Sequence, residues 1–307
     1  MSNGPAGHVA RSTVRPNSET SRRTPLRTFL HTDDGVTIDS VYDPGAVVYD
    51  SCRPSAGDLV FVVAHGFTGD VDRPHVRRVA QAFTWHGAVV TFSFRGHGAS
   101  GGRSTVGDRE VLDLAAAVRW ARELGHARVV TVGFSMGGSV VLRHAALYGG
   151  NGVSGGDGGN GANGLAIGEK AGDGGGAHTD AVVSVSAPAR WYYRGTPPMR
   201  RLHWLVTRPE GRLVGRYGFR TRIHHREWNP VPMSPVEAVP HITPTPLLIV
   251  HGDRDGYFPL DHPRMLAQAA GDHGELWLEP GMGHAEHAAT DELLDRIGGW
   301  AGAQGLT

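Results

Sequence analysis

The stretch 129-VVTVGFSMGGSVVLRHAALY-148 decides the fold. A run rich in valine ends at Gly133 and Phe134, a serine follows at 135, and Val140, Val141, Leu142 and Ala145 then mark a helix. A strand ending directly before a serine, with a helix starting directly after it, lifts the hydroxyl out of the sheet towards a helix N-terminus. Gly133 and Gly137, two residues to either side, let the strained backbone pass close to its neighbours. The same G-x-S-x-G pattern recurs around Ser100 (GASGG) and Ser154 (GVSGG) in a chain with 45 glycines. Ser100 lies in RGHGASGGRSTVGD, where no helix can start until about Asp108, and Ser154 lies in a glycine-rich tract with no strand before it. Only Ser135 has a strand before it and a helix after it.

Outward from this element, short apolar runs alternate with segments of helical period. The runs are LVFVVAHG from Leu59, AVVTFSF from Ala88, RVVTVGF from Arg128, AVVSVSAP from Ala181, PLLIVHG from Pro246 and ELWLEPG from Glu275. Five of the six are β-branched and nearly uncharged, as strands buried on both faces require. Before them, LRTFLHTDDGVTIDSVYDPG reads as a hairpin turning at Asp34 and Gly35. Val111, Leu114, Val118 and Ala121 form one helical stripe that Asp108 can cap, and further helices are expected over Asp261–Ala270 and Thr290–Ala301. The chain therefore reads as α/β, with a mostly parallel, doubly wound sheet and an antiparallel N-terminal hairpin.

Composition narrows the function classes. Thirty basic and thirty acidic side chains cancel, so the chain lacks the bulk positive field of non-specific nucleic-acid binding. The single cysteine, Cys52, cannot form an internal disulfide, and it reads as structural or incidental. Arg22 and Arg23 precede no uninterrupted apolar run, so no export signal is read, and no run approaches the ~20 residues of a membrane span. The expectation is a soluble, cytoplasmic protein without nucleic-acid or membrane partners. Residues 1–25, rich in Ser, Arg, Pro and Asn, read as a disordered tail before a single domain over 26–307.

The groups that a serine nucleophile needs stand further along the chain. DRDGYFP, after the strand from Pro246, offers Asp253 and Asp255, and MGHAEH, after the strand from Glu275, offers His284 and His287. At the same sheet end HGFTG, from His65, offers backbone N–H groups that can join that of Met136 in binding an oxyanion.

HGFTG at His65, FRGHGAS at Phe94, GFSMGG at Gly133, HGDRDGYFP at His251 and GMGHAEH at Gly281 together resemble the serine hydrolases of the α/β-hydrolase superfamily, from about Phe29 to Trp300. The order Ser, Asp, His along the chain is the one that superfamily uses. The resemblance implies the α/β-hydrolase fold and an esterase-like activity. It also implies that the acid is Asp255, four residues before Pro259, with Asp253 left as a loop or hydrogen-bonding residue. The histidine following Gly283 is then His284, and the second oxyanion N–H belongs to Phe67, beside Met136. RGHG at 95–98 and the His65 side chain read as structural.

The chemistry follows from the residue types. Serine is a poor nucleophile at neutral pH, so His284 accepts its proton, Asp255 orients the imidazole, and two N–H groups receive the oxyanion. A carboxylic-ester hydrolase working on a small-molecule acyl substrate, without metal or cofactor, is the expectation. Acyl transfer or perhydrolysis uses the same triad, and a non-catalytic ligand-binding protein on this fold is the third class. Epoxide hydrolases and haloalkane dehalogenases use aspartate where this chain has Ser135.

Two segments depart from a minimal hydrolase. Residues 149–176 are half glycine, 14 of 28, and read as a flexible insertion without core spacing. Residues 189–240 stand where a lid is inserted in many relatives, with ten arginines among aromatic residues. Arg190, Trp191 and Arg194, leaving the sheet at its active-site end, are the substrate-binding candidates: aromatics can wall an acyl pocket and arginines can pair with a carboxylate or phosphate. The competing reading is a solvated basic face. Single-stranded nucleic acid would suit basic and aromatic residues too, but no binding motif accompanies them.

Overall fold

The strand Leu59–Ala64 has every residue buried, and its side chains divide between two cores. Leu59, Phe61 and Val63 pack on one face of the sheet, and Val60, Val62 and Ala64 on the other. Alternation with a period of two explains why an unbroken apolar run is required where both faces are covered.

The protein is described by a computed structural model over residues 24–46, 58–149 and 176–304. Cys52, Ser154, nearly all of the expected N-terminal tail and most of the glycine-rich insertion lie outside the described residues. The strands are β1 (Leu26–His31), β2 (Thr37–Asp43), β3 (Leu59–Ala64), β4 (Ala88–Phe92), β5 (Arg128–Phe134), β6 (Ala181–Val185), β7 (Leu247–Gly252) and β8 (Gly274–Glu279). The helices are α1 (Pro74–Phe83), α2 (Glu110–Glu123), α3 (Met136–Tyr148), α4 (Pro197–Thr207), α5 (Pro209–Gly218), α6 (Pro235–Ala238), α7 (Asp261–Ala270), α8 (Ala285–Ala288) and α9 (Asp291–Ala303).

The sheet order is β1-β2-β4-β3-β5-β6-β7-β8. β1 pairs antiparallel with β2 and β2 with β4, and every later pairing is parallel. The expected hairpin and doubly wound sheet are therefore the observed architecture. Helices α2, α3 and α7 cover one face, and α1 and α9 the other. Parallel strands place their C-terminal ends along one rim, where loops carry function. Among the described residues no helix is long and apolar enough to cross a membrane.

The RGHG turn is structural, as expected. Arg95 is buried between two carboxylates, donating to Asp34 at 2.7 and 2.9 Å and to Asp113 at 2.9 Å, and so ties the hairpin turn to α2. The expectation that Asp108 caps α2 is corrected. The helix starts at Glu110 and Arg109 holds the cap position without a side-chain cap bond, while Asp108 faces Arg143 at 3.6 Å. Glu110 takes over the local N–H groups, accepting from Thr105 at 2.8 Å, Val106 at 3.1 Å and Gly107 at 3.0 Å. A glutamate reaching back into the preceding loop satisfies donors that a short aspartate would leave free.

Burial also makes the fold sensitive to acid. His144, on α3, is fully buried against Tyr148, and among the described residues neither ring nitrogen has a hydrogen-bond partner. Burial, aided by the charge of Arg119, pushes its pKa down to about 3. Burial likewise lowers His65 to about 3 and His97 to about 4. The unfolded chain takes up protons on these rings below about 6.5, and the native state only below about 4 at His97 and about 3 at His65 and His144. Stability from these rings is therefore complete above about pH 6.5 and declines as pH falls towards about 4 for His97 and about 3 for His65 and His144. The expected loss at pH 5 is roughly 1–2 kcal/mol per ring. His144→Phe, which keeps the stack and removes the proton site, is expected to shrink the drop in melting temperature between pH 7 and pH 5; an unchanged drop would place the acid sensitivity elsewhere.

Candidate active site

Ser135 has φ 52° and ψ −112°, a backbone conformation that side-chain-bearing residues rarely adopt. Its surroundings enforce it. A Cβ on Gly133 would meet the carbonyl of Gly137, and one on Gly137 would meet the carbonyl of Ala64 on β3. The Ser135 N–H donates to the Val185 carbonyl at 2.9 Å, so β6 pins the turn from the other side.

The loops after β7 and β8 bring the acid and the imidazole to this serine. Nδ1–H of His284 donates to Oδ2 of Asp255 at 2.8 Å, which leaves Nε2 to accept from the Ser135 hydroxyl at 2.9 Å. The Asp255 side chain is fully buried. Burial by itself would raise its pKa, but the His284 hydrogen bond and charge, with the N–H groups of Phe258 and Tyr257, hold it below the ordinary aspartate value. Those N–H groups donate to Oδ1 at 3.1 and 2.7 Å, leaving Oδ2 for the imidazole. The Tyr257 ring stacks on His284 with centroids 4.1 Å apart.

The residues left open by motif reading separate clearly. Asp253 accepts from the Gly281 N–H at 2.6 Å and joins two loops, while the His287 ring packs at a tilt against His75 with centroids 3.9 Å apart. Ser100 is fully buried; its hydroxyl donates to the Ser93 carbonyl at 2.6 Å and accepts from the Asp39 N–H at 2.9 Å.

Phe67 and Met136 line the same cavity as Ser135. Met136 opens α3, so its N–H is among those with no intrahelical carbonyl. The Gly66 carbonyl accepts from Nδ1–H of His65 at 2.7 Å and from the Gly69 N–H at 3.0 Å. Because the peptide is planar and trans, that anchoring turns the Phe67 N–H to the opposite side. His65 is itself fixed by accepting the Phe94 N–H at Nε2, 3.0 Å away, which assigns the proton to Nδ1. Glu286 accepts the Gly66 N–H at 3.1 Å.

The cavity has a volume of about 400 Å³, within the range of small-molecule sites. All three substrate-binding candidates line it. Arg190 is held by Asp261 at 2.9 Å, Trp191 donates its indole N–H to the Pro232 carbonyl at 2.9 Å, and Arg194 donates Nε–H to Nδ1 of His203 at 3.2 Å. The facing wall is the 104–106 loop organised by Glu110, onto which Trp228 donates through the Thr105 carbonyl at 2.7 Å.

Several residues of this site escaped motif reading. Ser186, with φ 52°, accepts the Ala285 N–H at 3.1 Å and so anchors the residue after His284. His203, Arg212, His224 and Arg226 line the cavity from the lid. For these the only local signal is the bunching of His224, His225 and Arg226, since the lid shows no regular period.

The sequence profile of the alpha/beta hydrolase family matches residues 59–296. The chain is 27% identical over 277 residues to a monoacylglycerol lipase of Mycolicibacterium smegmatis, covering 83% of this chain and 92% of that protein. In structure it is similar to an esterase of Pyrococcus furiosus, with a TM-score of 0.64 at 20% identity over 98% of this chain and 99% of the other. It is also similar to an alpha/beta hydrolase of Penicillium sp. sh18, with a TM-score of 0.60 at 18% identity over 91% and 97% of the two chains. At such identities the structural likeness speaks for the fold.

Proposed function

This chain belongs to the alpha/beta hydrolase family, and from that premise we propose that it is a serine esterase that cleaves carboxylic esters through an acyl-enzyme on Ser135. The observation that carries this reading is the continuous relay from Asp255 through His284 to Ser135, at 2.8 and 2.9 Å, opening on a cavity with an apolar wall. The monoacylglycerol lipase among its sequence relatives supports an acyl ester as the substrate class.

In the first half-reaction Ser135 Oγ attacks the ester carbonyl while His284 Nε2 takes the hydroxyl proton. Anionic Asp255 stabilises the imidazolium without itself being protonated. The carbonyl oxygen becomes an oxyanion between the N–H groups of Phe67 and Met136, each of the order of 3 kcal/mol in the transition state. Collapse expels the alcohol, which takes the proton from His284. Water then repeats the sequence on the acyl-enzyme, giving the carboxylic acid and free Ser135. A fluorophosphonate probe is expected to add once, with mass spectrometry locating the adduct on the peptide carrying Ser135. An adduct on another residue, or none, would count against the reading.

His65 is a positioning residue in this scheme, acting through the Gly66–Phe67 peptide. His65→Ala is expected to lower kcat by about 10²-fold, the worth of one misaimed donor, with KM changed far less. His65→Gln, which keeps a side-chain donor, is expected to recover part of the loss. A matching rise in KM, or no rescue by glutamine, would show a general packing role instead.

A further inference from the structure

The cavity around Ser135 is chemically lopsided. Trp191, Tyr193, Met199, Leu202, Val206 and Phe258 supply apolar surface suited to an acyl chain. The rest of the lid lining is cationic or hydrogen-bond donating: four arginines line the cavity against one acid, Glu227.

The four arginines are not equivalent. Arg190 is neutralised by Asp261, and Arg212 donates to the carbonyls of Val206 and Thr207 at 3.4 and 3.0 Å, closing the end of α4. Arg194 and Arg226 form no ion pair with a carboxylate among the described residues. Each instead serves a histidine. Arg194 Nε–H donates to Nδ1 of His203, and the Arg226 backbone N–H donates to Nδ1 of His224, both at 3.2 Å. With Nδ1 accepting, the His224 ring carries its proton on Nε2 and offers a donor there, whereas the ring N–H of His203 is engaged by the Tyr193 carbonyl. Two guanidinium groups and one imidazole N–H group thus line one cavity. The hydroxyls of a neutral alcohol need acceptors as well as donors, whereas an anion needs donors alone.

We infer that the ester taken by this site carries a permanent negative charge away from the scissile bond, a carboxylate or a phosphate, received by Arg194, Arg226 and His224. The inference rests on the serine-esterase reading and adds the substrate's charge to it. Arg194 and Arg226 are exposed, so the attraction is screened as salt rises.

The test compares three octanoyl esters on the full chain: 1-octanoylglycerol, its 3-phosphate, and the octanoyl ester of 3-hydroxypropanoate. At low ionic strength at least one anionic ester is expected to exceed the neutral one in kcat/KM by about tenfold or more, and the ratio is expected to fall as the Debye length shrinks towards about 3 Å in molar salt. The better of the two identifies phosphate or carboxylate as the preferred anion. Arg194→Gln and Arg226→Gln should each cut the anionic-to-neutral ratio at least threefold, whereas Arg216→Gln, an exposed lid arginine outside the cavity lining, should leave it unchanged. Equal kcat/KM for all three esters, or a ratio moved equally by Arg216→Gln, overturns the inference and leaves the esterase reading intact. If no ester is hydrolysed and Ser135 is not labelled, the esterase reading falls. Calorimetric binding of octyl phosphate and octanoate against octanol to the Ser135→Ala protein then decides the charge question independently, with tighter anion binding that Arg226→Gln weakens supporting it and equal binding rejecting it.

Discussion

Ser135→Ala is expected to lower kcat on any accepted ester by roughly 10⁵- to 10⁶-fold and to abolish fluorophosphonate labelling, the scale seen when a hydrolase loses its nucleophile. The hydroxyl is the only group of the relay that bonds to the substrate, and Met136 and Phe67 can stabilise an oxyanion only once something has attacked. The fold should survive, because the conformation at 135 is imposed by Gly133, Gly137 and Val185. Ser100→Ala should show the opposite profile. Its hydroxyl bridges the Ser93 carbonyl and the Asp39 N–H in the interior, so its loss costs about 1–3 kcal/mol of stability while labelling continues. Thermal unfolding and labelling on the two proteins check both halves. A Ser135→Ala protein that is still labelled and still hydrolyses esters would remove the nucleophile assignment.

Asp255→Asn is expected to lower kcat by about 10⁴-fold, because an amide next to Nδ1 no longer selects the tautomer that leaves Nε2 free to accept from Ser135. KM should move much less, since the side chain is fully buried behind His284. Asp253→Asn should stay within a few-fold of the parent, because asparagine keeps an oxygen able to accept the Gly281 N–H. Steady-state kinetics on both variants, at equal folded fraction, discriminate between them. Greater damage from Asp253→Asn would transfer the role of the acid to that residue.

The parts of the fold that can be read from the chain are those with strong short-range signals. β3, β5, β6 and β7 are legible because strands covered on both faces must be apolar throughout, and α2 because Val111, Leu114, Val118 and Ala121 share one buried face. Helices α4 and α5 are not legible in the same way. Between them only Met199, Leu205, Gly211 and Gly215 are buried, so no apolar stripe is imposed on a sequence whose remaining side chains face solvent or the cavity. α1 lies between these cases: Val76, Val79, Ala80 and Phe83 are buried, but Arg77, Arg78 and Gln81 interleave with them. The missed cap of α2 is of another kind. Asp108 has the right residue type, yet it faces Arg143, while Glu110 reaches back out of the helix to the N–H groups of Thr105 and Gly107.

Ser135 could be chosen among three serine motifs from the chain alone, because a strand, a tight turn and a helix are set by residues adjacent to one another, and neighbouring side chains and glycines specify them. The choice between Asp253 and Asp255 needed resemblance at the level of the chain, since both stand in one loop two residues apart; folding separates them by aiming one at His284, 29 residues on, and the other at Gly281. Arg190 and Arg194 look alike in sequence, and only folding sets Asp261 beside the first and His203 beside the second. The partner of a side chain, and with it the charge left for a substrate, depends on which distant segments packing brings within about 3 Å, a distance that local pattern does not encode.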